Sequence, residues 1–206
     1  MLMLVIFLVL VGFILLSTPV AVGMGITAMF TFQFLGEGHI LTMLPQRMFS
    51  ATTGFTLLAI PFFILAGNLM NNGGITTRIF DFARSLVGHI WGGLGQVNIV
   101  ASMIFSGMSG AAVADAAGLG MVELKAMEEN GYDKDFSAAV TCASSTIGPV
   151  VPPSIPFVIY GSITGVSIGK LFLAGFTPGI IMAIAMMIGV AVVSRRRNYP
   201  KEKLAS

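Results

Sequence analysis

The sequence predicts an all-α, polytopic membrane protein, and three observations carry that reading. Only 10% of the 206 residues are charged and 55% are hydrophobic, whereas soluble domains carry about 25% charged residues; mean hydropathy is +0.91. The charges are clumped. None occurs before Glu37, from Met48 to Thr77, from Ser85 to Ala114, from Phe136 to Gly169 or from Leu171 to Ser194, and such gaps match the roughly 20 apolar residues of a spanning helix. Finally, the one dense basic run, Arg195, Arg196 and Arg197 with Lys201 and Lys203, follows an apolar segment. It reads as a cytoplasmic anchor and not as a nucleic-acid patch, so no nucleic-acid partner is expected.

The elements follow in order. Met1 to Phe34 is apolar past Pro19 and lacks a basic leader region, so it is read as retained membrane structure, either one helix kinked at Pro19 or two short helices turning near Ser17, Thr18 and Pro19. Gly36 to Thr53, with Glu37, His39, Pro45 and Arg47, is an interfacial connection, and Thr56 to Met70 is an apolar helix ended by Asn71, Asn72, Gly73 and Gly74. Ile75 to His89 spaces Arg78, Asp81 and Arg84 three residues apart among Ile79, Phe80, Phe82 and Leu86, the pattern of an amphipathic helix at a membrane surface. Gly92 to Ala126 is apolar, but its centre, Ser106 to Asp115, is crowded with Gly, Ala and Ser and is a poor continuous helix. After the polar loop Glu128 to Asp135 comes Phe136 to Thr164, interrupted by four prolines between Pro149 and Pro156, which preclude regular helix there. Leu171 to Val193 is the last span.

The positive-inside rule places Arg195 to Arg197 and the Glu128 to Asp135 loop in the cytoplasm and the Gly165 to Lys170 turn outside. If Gly92 to Ala126 is a re-entrant hairpin, Arg78 and Arg84 are cytoplasmic too. The same parity puts Arg47 outside, against the rule.

Unwound backbone at membrane depth is tolerated only where it is buried in protein or lines a cavity, because an unpaired amide or carbonyl in hydrocarbon costs several kcal/mol. The two interruptions therefore mark a candidate site. Broken helices of secondary transporters offer bare carbonyls to a cation and helix N-termini to an anionic group. Ser106, Gly107, Ser109 and Gly110 form the first, and Ser144, Ser145, Thr146, Gly148 and Pro149 the second; their hydroxyls and carbonyls are hard oxygen ligands suited to Na⁺. Asp115, an acid between two long uncharged stretches, is either a functional acid or a helix-end anchor. The spacings Gly88/Gly92, Gly161/Gly165 and Gly175/Gly179 are read as helix packing.

Other chemistry fails on inspection. His39 and His89 have no ligand-spaced partner and Cys142 stands alone, so no metal beyond Na⁺ and no cofactor is expected. Gly165 to Leu171 lacks the spacing and the Ser or Thr of a phosphate loop. Gly107-Met-Ser-Gly110 matches an intramembrane serine-protease motif, but no histidine follows His89 to serve as base. The chain is read as no enzyme. A pore or another ion-gradient transporter subunit is the alternative, since broken helices also line pores.

Four stretches carry a family resemblance: Leu58 to Gly67 (LAIPFFILAG); Gly74 to Ile79 leading to Phe82–His89 (FARSLVGH); Ser106 to Ala117 (SGMSGAAVADAA); and Ala143 to Pro156 (ASSTIGPVVPPSIP). In this order, over nearly the whole chain, they resemble the DctM-like large membrane subunit of tripartite ATP-independent periplasmic (TRAP) transporters. The resemblance implies Na⁺-coupled uptake of small organic anions, sialic acid, C4-dicarboxylates and keto acids among them, across the cytoplasmic (inner) membrane of a bacterium or archaeon. It implies three partners: a periplasmic substrate-binding protein, a small four-helix membrane subunit, and a second half of the permease. It also implies one repeat of an inverted-repeat elevator fold, divided into scaffold helices at 1–91, a transport region at 92–164 (re-entrant hairpin 92–127, broken helix 136–164), a last membrane helix at 165–194 and a cytoplasmic inter-repeat loop at 195–206. Carried over by position, Ser106 to Gly110 is the hairpin tip and Ser144 to Ser154 the unwound partner. Cation ligands are then expected at Ser106, Gly107, Ser109, Gly110, Ser145, Thr146, Gly148 and Pro149, and substrate contacts at Ser109, Ser144, Pro153 and Ser154. Family members are about twice as long, so a truncated or split permease is expected.

Overall fold

A computed structural model describes residues 2–200, and every regular element among them is helical. The chain divides into two compact units, Met1–Thr53 and Gly54–Ser206. In the first, the opening run is two helices, α1 (Leu2–Leu15) and α2 (Val20–Phe34). The chain reverses at Ser17, whose φ is +58°, and the Thr18 hydroxyl donates to the Phe13 carbonyl at 2.6 Å. A 3-10 turn, Gly38–Met43, leads into α3 (Leu44–Thr52), with Pro45 in its first turn, where its missing N–H costs nothing. The connection between the apolar helices is thus mostly helical.

The second unit begins with a 3-10 turn, Phe55–Leu58, continuing into α4 (Ala59–Asn72), then α5 (Ile75–Val87). Helix α5 is amphipathic as its spacing predicts: Thr76, Ile79, Phe80, Ala83 and Val87 are buried, while Arg78, Asp81 and Arg84 are exposed. It packs on α6 (Gly93–Ser109), the central helix of the unit, which contributes Leu94, Val97, Ile99, Ala101 and Phe105 to the core. The chain then turns back through α7 (Ala112–Ala117) and α8 (Leu119–Glu129). Asn98 meets Met127, and a Cβ on Gly118 would lie 3.6 Å from the Phe105 ring, so α8 runs antiparallel to α6 and the three helices form a hairpin.

Helix α9 (Lys134–Ser145) packs against both arms, the chain unwinds from Thr146 to Ser154, and α10 (Ile155–Thr164) and α11 (Ile168–Arg197) follow. Pro156 is not part of the interruption, because it falls in the first turn of α10, where proline is favoured. The last helix outruns the expected 165–194 boundary. Its 30 residues reach Arg197, so Arg195, Arg196 and Arg197 form its final turn and not a loop; cations there complement the helix dipole, and Asn198 closes the end at φ +55°. Residues 201–206, the remainder of the expected inter-repeat loop, lie outside the described residues.

Phe55–Asn72 and Ile168–Arg197 are long and apolar enough to cross a membrane, with mean hydropathies of 1.4 and 2.3, and their apolar side chains are mostly exposed. Burial in a soluble core does not account for them. Three shorter apolar helices, Met3–Leu15, Val20–Phe34 and Ile155–Thr164, accompany them. The Gly175/Gly179 spacing serves packing: a Cβ on Gly175 would sit 2.5 Å from both the Val150 carbonyl and the Phe157 ring, and one on Gly179 would sit 2.5 Å from Val151, whereas Gly165 has nothing near a Cβ and closes α10 at φ +73°. Small residues on α11 thus let the unwound segment lie directly against it.

Candidate functional site

The hairpin tip and the unwound segment meet backbone to backbone. Gly110 ends α6 at φ +62°, and its carbonyl accepts the Ile155 N–H at 3.2 Å. A Cβ there would lie 2.7 Å from the Pro153 carbonyl, while one on Gly107 would lie 3.6 Å from the Pro152 carbonyl and one on Gly148 3.4 Å from the Ala111 and Ala112 backbone. Two runs about forty residues apart are therefore one junction, with the carbonyls of Pro152 and Pro153 directed at the tip. Glycine is required at Gly110 by its left-handed φ and by the lack of room for a side chain.

The tip differs from its sequence reading in one respect. Ser106, Gly107 and Ser109 lie inside α6, and only Gly110 and Ala111 leave the helix before α7 begins. A glycine in the left-handed region closes a helix in one residue, so the small residues before it need not unwind. Likewise Ser144 and Ser145 are the last residues of α9, and the unwinding starts at Thr146.

The expected site residues separate by what their hydroxyls already do. Ser106 donates to the Ser102 carbonyl one turn back. Ser145 and Thr146 donate to the Cys142 and Ala143 carbonyls at 3.0 and 2.6 Å, and Thr146 is exposed. Ser154 caps α10 by accepting the Phe157 N–H at 3.3 Å and donates to the Pro149 carbonyl at 2.6 Å. Ser144 donates to the Asn98 side-chain carbonyl at 2.6 Å. Ser109 alone of these is buried with no hydrogen-bond partner. It lines a cleft of about 170 Å³ together with Phe63, Gly67, Asn68 and Asn71 of α4, Phe105, and Ala111, Ala114 and Gly118 of the returning arm. No group within hydrogen-bonding distance could take the Ser109 proton, so the protease-like motif lacks its base.

Between α6 and α9 runs a buried polar seam that the sequence reading missed. Asn98 donates to the Thr141 hydroxyl at 2.7 Å, and Ser102 donates to Ser144 at 3.1 Å. Asp115, in α7, is 1% exposed, and it has a companion in Glu123 on α8, 0% exposed. Both carboxyl groups face Ser102, yet none of their four oxygens makes a hydrogen bond of normal geometry. Asp115 is thus buried, and it lies in the first turn of the short helix α7. The sequence reading places Glu123 near the end of the apolar stretch Gly92 to Ala126 and gives it no role; eight residues separate it from Asp115. No group of three or more His, Cys, Asp or Glu that could hold a metal occurs among the described residues.

The loop end of the same helices is built differently. Tyr132, Phe136 and Tyr199 stack, with Tyr199 4.7 Å from Tyr132 and 4.9 Å from Phe136 between ring centroids. The Tyr199 hydroxyl donates to Asp133 at 2.5 Å, Arg197 donates to the same carboxylate oxygen at 3.0 Å, and the Tyr132 hydroxyl donates to the Pro200 carbonyl at 3.0 Å. The Tyr199 hydrogen bond, followed by that of Arg197, holds the exposed Asp133 carboxyl below its ordinary 3.8. Both ends of the hairpin lie near this clasp, since a Cβ on Gly93 would approach the Tyr132 hydroxyl and the Pro200 carbonyl at 3.2 and 3.3 Å.

Residues 6–206 match the family model described as "Tripartite ATP-independent periplasmic transporter, DctM component". The chain is 49% identical over 188 residues to a sialic acid TRAP transporter large permease protein of Vibrio cholerae, covering 91% of this chain and 44% of the relative. It is 51% identical to a sialic acid TRAP transporter permease protein of Haemophilus influenzae, covering 82% of this chain and 27% of the relative, and 36% identical to a C4-dicarboxylate TRAP transporter large permease protein of Vibrio cholerae, covering 95% and 43%. These relatives are named as permeases and not as enzymes, and the chain spans less than half the length of each.

Proposed function

Because the chain belongs to the DctM component family of tripartite ATP-independent periplasmic transporters, we propose that it builds the hairpin and broken helix of a large permease that imports small organic anions together with Na⁺. The observation that supports this most is the tip junction, where Gly110 docks on Pro153 and Ile155 while the buried Ser109 hydroxyl stays unpartnered. A buried hydroxyl without a partner costs about 1–3 kcal/mol, and a site that binds a hard cation or a carboxylate recovers that cost on loading.

In this reading Ser106, Gly107, Ser109, Gly110, Ser145, Thr146, Gly148 and Pro149 surround the cation, with Ser109 and the carbonyls at the Pro152–Pro153 turn as the groups free to bind. Ser109, Ser144, Pro153 and Ser154 border the substrate. The residues already bonded within the protein, Ser144 and Ser154 above all, hold the junction in shape, and Ser109 contributes a ligand oxygen. Asp115 supplies a negative charge behind the tip. The organic anion is a carboxylate of the kind named for the relatives, sialic acid or a C4-dicarboxylate.

The hairpin and broken helix move as one body against scaffold helices in 1–91, as one repeat of an elevator transporter in the inner membrane. The clasp faces the cytoplasm. A periplasmic binding protein delivers the substrate, and a small four-helix subunit and the remaining length found in the relatives complete the machine.

The test is uptake in proteoliposomes by the complete assembly with a loaded binding protein. Saturable, Na⁺-stimulated uptake that loses its Na⁺ dependence in Ser109→Ala supports this reading. Unsaturable conductance without a binding protein would replace it with a pore, and unchanged Na⁺ activation in Ser109→Ala removes that residue from the site.

A further inference from the structure

Asp115 and Glu123 lie within the hairpin, behind its tip, on the two helices of the returning arm. At 1% and 0% exposure neither reaches solvent, both lie beside the Ser102 hydroxyl, and none of their four carboxyl oxygens makes a hydrogen bond of normal geometry, the Ser102 proton being directed at Ser144. Two neutral groups elsewhere, Gln96 and Ser194, also leave one oxygen unpartnered. A neutral oxygen in that position is a modest cost, whereas an unpaired buried carboxylate is a severe one and two side by side repel as well.

Among the described residues, the cations on the helices packed around them are exposed. Helices α4 and α6 carry no ionisable side chain; on α5, Arg78, Asp81 and Arg84 are exposed, as are Lys125, Glu128 and Glu129 on α8 and Lys134 and Asp135 on α9. The salt bridges among these groups join exposed residues to one another: Lys125 to Glu129 and Lys134 to Glu128. Ser102 is committed as a donor to Ser144, so it can present an oxygen to whatever sits between the carboxyl groups.

We propose that Asp115, Glu123 and the Ser102 oxygen form an enclosed binding site for one positive charge, distinct from the tip, occupied by an alkali cation or by a proton. One such charge leaves the pair with a single net negative charge and gives the unpartnered oxygens a ligand. The two sources share the chemistry of a small monovalent cation on carboxylate oxygen. The site follows from burial and geometry alone and does not depend on the transport reading.

The test uses the 206-residue chain in lipid nanodiscs and follows thermal unfolding. One arm raises NaCl at fixed pH with an organic cation keeping ionic strength constant, and the other lowers pH from 8 to 6 in the organic-cation salt alone. Ligand at about a hundred times its Kd raises Tm by roughly 5–10 °C for a chain of this size. A rise in the first arm identifies an alkali cation and a rise in the second a proton; both arms are repeated in Ser109→Ala, which removes the tip ligand, and in that background the rise persists and adding Asp115→Asn/Glu123→Gln abolishes it. Should the double variant fail to fold, Glu123→Gln alone decides, by reducing the response. A Tm insensitive to both Na⁺ and pH, or a response that survives the removal of both carboxylates in the Ser109→Ala background, overturns the proposal. A response lost in Ser109→Ala but kept in the double variant assigns it to the tip and overturns the proposal equally.

Discussion

The two ends of the α6–α9 bundle are both places where distant segments meet, but they settle their polar groups differently. At the clasp, Tyr132, Asp133, Arg197 and Tyr199 pair with one another or with the Pro200 carbonyl over stacked rings. At the tip, backbone docks on backbone with no room to spare, Ser109 is left unpartnered, and two unpaired carboxyl groups lie behind it. A satisfied cluster rigidifies; an unsatisfied one in a buried position is a site held ready for something that is not protein. On the function proposed above, the clasp is architecture and the tip is the binding end.

The strongest way to break that contrast is to place a side chain in the junction. Gly110→Val forces a β-branched residue to φ +62° and puts its Cβ 2.7 Å from the Pro153 carbonyl; the left-handed cost alone is about 1–2 kcal/mol, and the clash adds to it, so the loss of stability by thermal unfolding should exceed about 2 kcal/mol. Gly131, in the clasp loop, has φ +82° with nothing within 4 Å of a Cβ. Gly131→Ala should therefore cost only the conformational part, about 1 kcal/mol. Equal losses at the two glycines would mean that the close approach at the tip is not real.

Next in size is Ser144→Ala, which removes a donor to Asn98 and an acceptor for Ser102. Hydrogen bonds between membrane helices average about 0.6 kcal/mol each, so a loss near about 1 kcal/mol is expected, again read by thermal unfolding. Smaller still is the effect of acid on the clasp. With the native Asp133 carboxyl held below 3.8, its contribution is present above the ordinary carboxylate value and is lost as pH falls through the depressed native value. Asp133→Asn should therefore lower stability at neutral pH, where the contribution is fully present, and converge with the parent at acid pH below 3.8, which flattens the acid limb of the stability–pH profile. The least loss is expected for Ser109→Ala, which breaks no hydrogen bond and removes a buried hydroxyl that costs about 1–3 kcal/mol unpartnered, so thermal unfolding should show no loss of stability and a gain of up to that size. A loss would show that Ser109 is part of the architecture.

Much of this arrangement was legible in the residues. The interruption around Gly148 to Pro153 follows from proline, which removes donors and clashes with the preceding turn, and the polar residues of α5 fall on its exposed face as their spacing requires. Two features were misread for a common reason. The small residues Ser106 to Ser109 looked like unwound chain, yet they stay helical because Gly110 alone makes the turn. Glu123 falls near the end of the apolar stretch Gly92 to Ala126 and drew no role there, yet α8, which extends to Glu129, turns that residue inward. Local composition reports what a segment tolerates, whereas the direction of a side chain depends on where the helix begins and what packs beside it.

The sequence by itself determined the membrane-protein class, the order of the helices and the positions of the two interruptions, because charge gaps, proline and glycine act locally on hydration and on φ. Only the tertiary structure decided that the interruptions touch, that Ser109 is left over while Ser144 and Ser154 are spent, and that Asp115 has a buried partner in Glu123. Those are facts about contacts between residues far apart in the chain, and no periodicity within one segment records them.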